Sequence, residues 1–336
     1  MAIEEESLPG AAFLAFPGQA AFLRAELAER FALETPATPE NPAPFVPGRA
    51  QWLGDLLYLP DFAGKSFPYW AKTVLPRPFR MRFGSIGEAA KGLMAKGRNW
   101  TPYCFAVFRK TELVQEKLPF LHFKPRPFPF EIPRTPMGFY ALLDGNELLG
   151  ASETGNCAPG GSVALVEDHK NPPSRAYLKL QEALTWVRHF FGAELPRAGQ
   201  RCFDAGACPG GWSWVLRGLG ADVFAVDRSE LAPALMRDKH VTFLRHDAFT
   251  LRPGEIGPFD WVVSDVICYP ERLLPWIESW LESGLVRNMV CTIKLQGGVD
   301  WDLIDRFAAL PDSRILHLNH NKHELTFLHA SRLHEA

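Results

Sequence analysis

The 336-residue sequence predicts an α/β protein. Its second part, residues 166–336, reads as a mostly parallel sheet wrapped by helices, and a smaller α+β region, residues 1–165, precedes it. Three observations carry this reading. Apolar runs alternate with helical patterns from residue 201 to residue 294, as in a chain that crosses over between parallel strands. A glycine-rich turn, Gly206-Ala207-Cys208-Pro209-Gly210-Gly211, stands between the first of those runs and its helix. The last two apolar runs, 314–318 and 325–329, are joined by a connection too short for a crossover helix, so the final strand is expected to run antiparallel.

Taken in order, residues 12–16 predict a short strand. Pro17-Gly18 then leads into a helix carrying Phe22, Leu23, Leu27 and Phe31 at helical spacing. Prolines, Pro36, Pro39 and Pro47 among them, mark residues 34–48 as an irregular excursion. Ser85, with Glu88 three residues later, predicts a capped helix from Ser85 to about Lys96. Residues 151–173, rich in Gly and Pro, read as the passage between the two parts, with the boundary near residue 165. A helix from Ser174 follows, with Tyr177, Leu180, Leu184 and Val187 on one stripe and Lys179 on its flank. Beyond it the pattern predicts strands at 201–205, 221–226, 241–245, 259–264 and 288–294, and helices at 211–219, 271–283 and about 300–310. The whole is a Rossmann-like arrangement.

Composition excludes several classes. With 47% hydrophobic and 22% charged residues the chain is ordinary globular material. No apolar run approaches the roughly 20 residues of a membrane span, and the acidic start (Glu4, Glu5, Glu6) lacks a basic leader region. A cytoplasmic protein without a membrane partner is expected. The six cysteines never form C-x-x-C, so neither a zinc site nor a disulfide framework is indicated; they read as reduced, buried thiols. The net charge of -2 conceals a segregation. Residues 65–134 hold 14 Lys and Arg against 4 acids, a local +10, whereas residues 1–64 hold 3 bases against 9 acids, a local -6. In the basic island, aromatic residues (Phe67, Trp70, Phe79, Phe83, Trp100, Phe120, Phe123 among them) interleave with cations, a mixture suited to single-stranded or irregular RNA. The bland alternative is that most of these rings are core.

The glycine turn points to a nucleotide-like cofactor. Its spacing, G-x-x-x-G-G, is not the G-x-G-x-x-G of a dinucleotide site, because Cys208 stands where a pyrophosphate needs a second glycine. Asp227, 21 residues after Gly206 at the end of an apolar run, is spaced to accept from a ribose diol. Ribose without pyrophosphate suggests S-adenosylmethionine. In open α/β sheets ligands lie outside the carboxyl ends of the strands. Asp204, Asp227, Asp247, Asp265 and Lys294 all fall there, and an antiparallel last strand brings its first residue, Glu324, to the same rim. A helix cap is the competing reading for Asp247, and a solvated helix lysine for Lys179.

The residues Ser174-Arg175-Ala176-Tyr177-Leu178-Lys179-Leu180, Asp204 to Trp212, Ser264-Asp265, Thr292-Ile293-Lys294 and His323-Glu324-Leu325 resemble the FtsJ-type ribose 2'-O-methyltransferases. The closest resemblance is to the bacterial enzymes of the M type that methylate a cytidine of 23S rRNA. It rests on Pro173-Ser174-Arg175, the Gly-Ala-Cys-Pro-Gly-Gly-Trp turn, and Leu244-Arg245-His246-Asp247 with Arg252-Pro253 shortly after. It is strong from about Pro172 to Ala330 and weak before. The resemblance implies a class I methyltransferase fold preceded by a ferredoxin-like and THUMP-like RNA-binding region. It implies a catalytic tetrad of Lys179, Asp265, Lys294 and Glu324, and rRNA or a pre-ribosomal particle as partner, held through residues 65–134. The cofactor surface would be drawn from Ser174, Asp204, Gly206, Cys208, Pro209, Gly210, Gly211, Trp212, Asp227, Asp247 and Asp265. Asp204 and the turn would face the methionine end, Asp227 the ribose and Asp247 the adenine amine. Lys294 is expected as general base, its ammonium form disfavoured by burial and by Lys179. Three other readings compete: a nicotinamide oxidoreductase on the same fold, a catalytically silent RNA-binding assembly factor, and an mRNA-cap enzyme with the same tetrad.

Overall fold

The computed structural model describes residues 3–38 and 44–331. Part of the proline-rich excursion, including Pro39, lies outside the described residues. The chain divides into two compact units, one of residues 1–125 with 132–164 and the other of 126–131 with 165–336.

In the first unit the order is β1 (Glu4–Ser7), β2 (Ala11–Ala15), α1 (Ala20–Phe31), β3 (Gln51–Leu53), β4 (Leu56–Leu59), β5 (Ala71–Leu75), β6 (Phe79–Arg82), α2 (Ile86–Lys96), β7 (Trp100–Tyr103), α3 (Phe108–Gln115), β8 (Gly138–Leu142) and β9 (Glu147–Ala151). The strands form a four-stranded sheet, β3-β4-β2-β5, and a five-stranded sheet, β1-β6-β9-β8-β7. Ser85 caps α2 by accepting from the Glu88 N–H at 3.2 Å, and the Glu88 carboxylate reaches back to the Gly84 N–H.

The acidic start and the basic island meet in this unit. β1 pairs antiparallel with β6, setting Glu4 opposite Arg82 and Glu6 opposite Arg80. Arg80 is paired with Glu147 and Glu6, and Lys96 with Glu5 at 2.7 Å. Three of the island's 14 cations, Arg80, Arg82 and Lys96, thereby stand against acids of β1 or β9. Trp70, Phe79, Phe83 and Trp100 of the island are buried core residues, whereas Phe67 and Phe123 are exposed and Phe120 is 89% exposed. For these four rings the bland alternative holds. Of the cysteines, Cys202, Cys268 and Cys291 are buried, Cys157 is half-buried, and Cys104 and Cys208 are exposed, so the expectation of buried thiols holds for three.

The second unit contains α4 (Tyr177–Phe191), β10 (Arg201–Ala205), α5 (Gly211–Gly218), β11 (Asp222–Asp227), α6 (Pro233–Met236), β12 (Val241–Arg245), α7 (Pro253–Ile256), β13 (Phe259–Ser264), α8 (Pro270–Ser283), β14 (Val286–Lys294), α9 (Trp301–Ala308), β15 (Ser313–Leu316) and β16 (Glu324–Ala330). Its seven-stranded sheet has the order β12-β11-β10-β13-β14-β16-β15. β16 is antiparallel to both its neighbours, and the other pairings are parallel. Strands such as β13 and β14 read as continuous apolar runs because both faces are covered. α8 sets Trp276 and Trp280 against Phe203, with ring centroids 6.3 and 5.7 Å away. The helix expected from Ser174 begins at Tyr177, after turns in which the Tyr177 N–H donates to the Ser174 carbonyl at 3.4 Å. No helix among the described residues is long and apolar enough to cross a membrane.

The strand order reverses at β10 and β13. Both strands end on the same rim, and that rim carries the candidate site.

Candidate active site

Sheet register builds the centre of the site. Lys294 is the last residue of β14 and stands opposite Glu324, the first of β16. Asp265 follows β13, the parallel neighbour of β14, and α4 packs on β14 and β16 with Lys179 in its first turn. The four side chains close into a ring. Lys294 Nζ lies 2.7 Å from Asp265 Oδ1 and 2.7 Å from Glu324 Oε2. Lys179 Nζ lies 3.2 and 3.1 Å from the two Asp265 oxygens and forms an ion pair with Glu324 Oε1 at 2.6 Å. Each lysine touches both carboxylates, and the charges sum to zero.

The four side chains are only 9–17% exposed, so these contacts are little screened by water. Burial alone would lower the Lys294 pKa, but Asp265 and Glu324 together outweigh it and hold that pKa above its ordinary value. This corrects the expectation that burial and Lys179 disfavour the ammonium form. Two carboxylates at 2.7 Å stabilise the charge more than burial and one neighbouring cation destabilise it.

The glycine turn lies at the end of β10. Gly206 has φ +79, and a Cβ there would come within 2.6 Å of Val266 Cγ2, directly after Asp265. Gly210 has φ +109 and precedes α5; a Cβ on it would meet Leu235 Cδ1 at 2.3 Å. At Gly211 a Cβ would meet Ser174 Oγ at 2.4 Å, so Ser174 braces the turn from behind. Trp212 also braces it, donating from Nε1 to the Ala176 carbonyl at 2.9 Å. The Cys208 N–H donates to Asp227 Oδ2 at 2.9 Å, and the Ser229 N–H to Asp227 Oδ1 at 2.9 Å, which tie the turn to the end of β11.

Beside the turn opens a cavity of about 200 Å³ lined by Gly206, Val226, Asp227, Arg228, His246, Asp247, Ala248, Phe249, Val266, Ile267, Cys268 and Arg272. Of the residues expected on the cofactor surface, Gly206, Asp227 and Asp247 line it. Asp204 does not. It is 1% exposed and accepts from Ser213 Oγ at 2.6 Å inside the start of α5, and burial, with Asp265 and Asp227 nearby, pushes its pKa up to about 7. Asp247 caps the short turn after β12 by accepting from the Phe249 N–H at 3.0 Å, and it binds Arg228 at 2.9 Å and Arg272 at 3.2 Å. The capping alternative is therefore realised on a residue that also lines the cavity.

The sequence reading missed the far wall, made by Arg228, His246, Phe249, Ile267, Cys268 and Arg272. Arg228 and His246 each adjoin a rim carboxylate in sequence, which is the signal that could have found them. Arg272 comes from α8 and carries no local signal.

Residues 172–290 match the family model of the FtsJ-like methyltransferases. Among curated proteins, the chain is similar to the ribosomal RNA large subunit methyltransferase M of Alkalilimnicola ehrlichii, 37% identical over 164 residues, 46% of this chain and 45% of the relative. The protein of the same name from Thauera aminoaromatica is 34% identical over 191 residues, 53% of this chain and 52% of the relative. That of Xanthomonas oryzae pv. oryzae is 29% identical over 266 residues, 74% of this chain and 72% of the relative. The first two matches thus span about half the relatives' length. Taken with the sheet order, these matches show that residues 172–290, about a third of the chain, are similar to the FtsJ-like methyltransferases and lie on a Rossmann-like sheet.

Proposed function

We propose that the chain transfers a methyl group from S-adenosylmethionine to a ribose 2'-hydroxyl of large-subunit ribosomal RNA, with a cytidine of 23S rRNA as the target. The single observation that carries this reading is the closed Lys179–Asp265–Lys294–Glu324 ring on the rim that also bears the glycine-turn cavity. The relatives named ribosomal RNA large subunit methyltransferase M support the substrate class.

The cavity residues fit the cofactor. Asp227 keeps lone pairs for a diol after accepting its two backbone donors, and Val266, Ile267 and Phe249 offer apolar walls to a purine. Asp247, engaged by Phe249 and two guanidiniums, shapes the adenine end. When bound, the cofactor supplies an electrophilic methyl on a sulfonium. A ribose hydroxyl attacks poorly until its proton is removed, and Lys294 Nζ is the acceptor assigned here. Asp265 and Glu324 orient both lysines, and Lys179 offsets the carboxylate charge once Lys294 has lost its proton. Because the resting ring favours the ammonium, only the neutral fraction of Lys294 is competent as base.

The first unit is assigned to holding RNA, in the manner of a THUMP-like region, through what remains of the basic island once its core rings and paired cations are set aside. Exposed Phe120 and Phe123 lie within five residues that also hold His122 and Lys124, a group suited to stacking and phosphate contact.

The test is transfer of labelled methyl from S-adenosylmethionine to large-subunit rRNA lacking the modification, followed by alkaline hydrolysis. Label in an alkali-resistant dinucleotide supports ribose methylation and names the base. Label in mononucleotides means base methylation and removes the tetrad mechanism.

A further inference from the structure

Glu182 lies one turn after Lys179 on α4 and is 1% exposed. Neither the ring nor the cavity uses it. A carboxylate in such a place is costly unless it is hydrogen bonded. Its Oε1 accepts from Asn319 twice, from the backbone N–H at 3.0 Å and from Nδ2 at 2.7 Å. Burial nevertheless pushes its pKa up to about 7, against the donors from Asn319 and His320.

Asn319 belongs to the connection between β15 and β16, which delivers Glu324. That connection is closed on itself and on β14. The Asn321 N–H donates to the Leu318 carbonyl at 3.1 Å, and Asn321 Nδ2 to the Glu324 carbonyl at 3.2 Å. The Leu295 N–H donates to the His323 carbonyl at 3.3 Å, and His323 Nδ1 meets the Leu295 carbonyl at 2.8 Å. Thus the residues directly after β14, which ends on Lys294, and directly before β16 are joined by two hydrogen bonds. Glu182 adds the link to α4, the helix that bears Lys179. The three elements supplying Lys179, Lys294 and Glu324 converge on this connection.

We propose that Glu182 is a positioning residue: through Asn319 it fixes the start of β16 against α4 and so sets the Lys179–Glu324 ion pair that closes the ring. The inference rests on the methyl-transfer reading for its kinetic consequence. Its structural consequence stands apart from that reading.

The experiment uses the full chain carrying Asn319→Ala, Glu182→Leu or Glu182→Gln. It reads kcat and KM for methyl transfer to unmodified rRNA, S-adenosylmethionine affinity by calorimetry, and amide hydrogen exchange over residues 317–324. Asn319→Ala and Glu182→Leu are expected to lower kcat roughly ten- to a hundredfold, as a misplaced catalytic group does. Cofactor affinity should hold, and exchange over 317–324 should quicken. Glu182→Gln should keep most of the rate, because its amide oxygen still accepts the two Asn319 donors. Asn319 is half-buried, so its variant carries the test if Glu182→Leu does not fold. Wild-type kcat and unchanged exchange in Asn319→Ala would overturn the proposal. If the wild type transfers no methyl, the functional reading fails, and exchange alone then decides whether Glu182 positions the connection.

Discussion

The raised pKa of Lys294 makes a quantitative demand on catalysis. Its ordinary value is 10.5, and the two carboxylates hold the folded value above that. At pH 7.5 the neutral amine is therefore at most roughly one molecule in a thousand. If that fraction is the base, the rate should climb about tenfold per pH unit from 7 to 9 without reaching a plateau. The assay is single-turnover transfer of labelled methyl to subsaturating rRNA at constant ionic strength, which keeps product release out of the measurement. Unfolding does not imitate the effect. A raised lysine pKa contributes stability that is complete below the unfolded value and is lost only as pH rises through the folded one, well above this window. Lys294→Arg keeps a cation between Asp265 and Glu324 but offers no accessible neutral form, so the rate should fall by about 10²–10⁴ with cofactor affinity retained. A profile flat from pH 7 to 9, or Lys294→Arg working at close to the wild-type rate, would refute the assignment.

Other outcomes follow from the cavity and its turn. Gly210→Ala places a side chain at φ +109 and 2.3 Å from Leu235 Cδ1. The backbone alone should cost roughly 1–3 kcal/mol, read as a lower thermal midpoint together with weaker cofactor binding. Asp227→Ala removes the acceptor of the Cys208 and Ser229 N–H groups as well as the diol contact. Calorimetry should show S-adenosylmethionine affinity reduced about 10- to 100-fold, the loss of one or two charge-assisted hydrogen bonds, with far-UV circular dichroism unchanged. Asp204 has its pKa raised from 3.8 to about 7, so the folded state resists its ionisation. Its penalty is absent below pH 3.8, grows as pH rises, and is complete above pH 7, at roughly 4 kcal/mol. Asp204→Asn, which keeps an acceptor for Ser213, should flatten the fall in thermal midpoint between pH 5 and 8. An unchanged slope would contradict the burial argument.

The second unit was legible because burial on both faces makes its strands continuous apolar runs that break at a charged residue, as Thr292-Ile293 breaks at Lys294. Once the last strand was read as antiparallel, Glu324 had to share a rim with Asp265 and Lys294. What sequence could not give was the sign of the Lys294 shift. That depends on two carboxylates at 2.7 Å, a balance of distances that spacing does not encode. Ser174 and Trp212 were expected on the cofactor surface only through the family resemblance; their contacts with the back of the turn, Ser174 beside Gly211 and Trp212 on the Ala176 carbonyl, have no local sequence signal. In the first unit the strands are three to five residues long, and β7 contains Pro102, so periodicity had little to work on. The pairing of the acidic start with Arg80 and Arg82 was not legible because those partners lie far along the chain. Pairing of that kind is not a local signal.

The neutrality of the Lys-Asp-Lys-Glu ring has a consequence for how a polyanion could reach it. Alternating charges 2.6–3.2 Å apart cancel beyond their immediate neighbourhood, and salt screens the remainder within about 8 Å. The ring therefore exerts almost no pull on an approaching phosphate backbone, and on the methyl-transfer reading it would act on a hydroxyl only at contact. Long-range capture has to come from other surfaces of the chain. On that reading capture and chemistry are separately adjustable: ionic strength would alter how often a strand arrives, while the step performed on it stays the same.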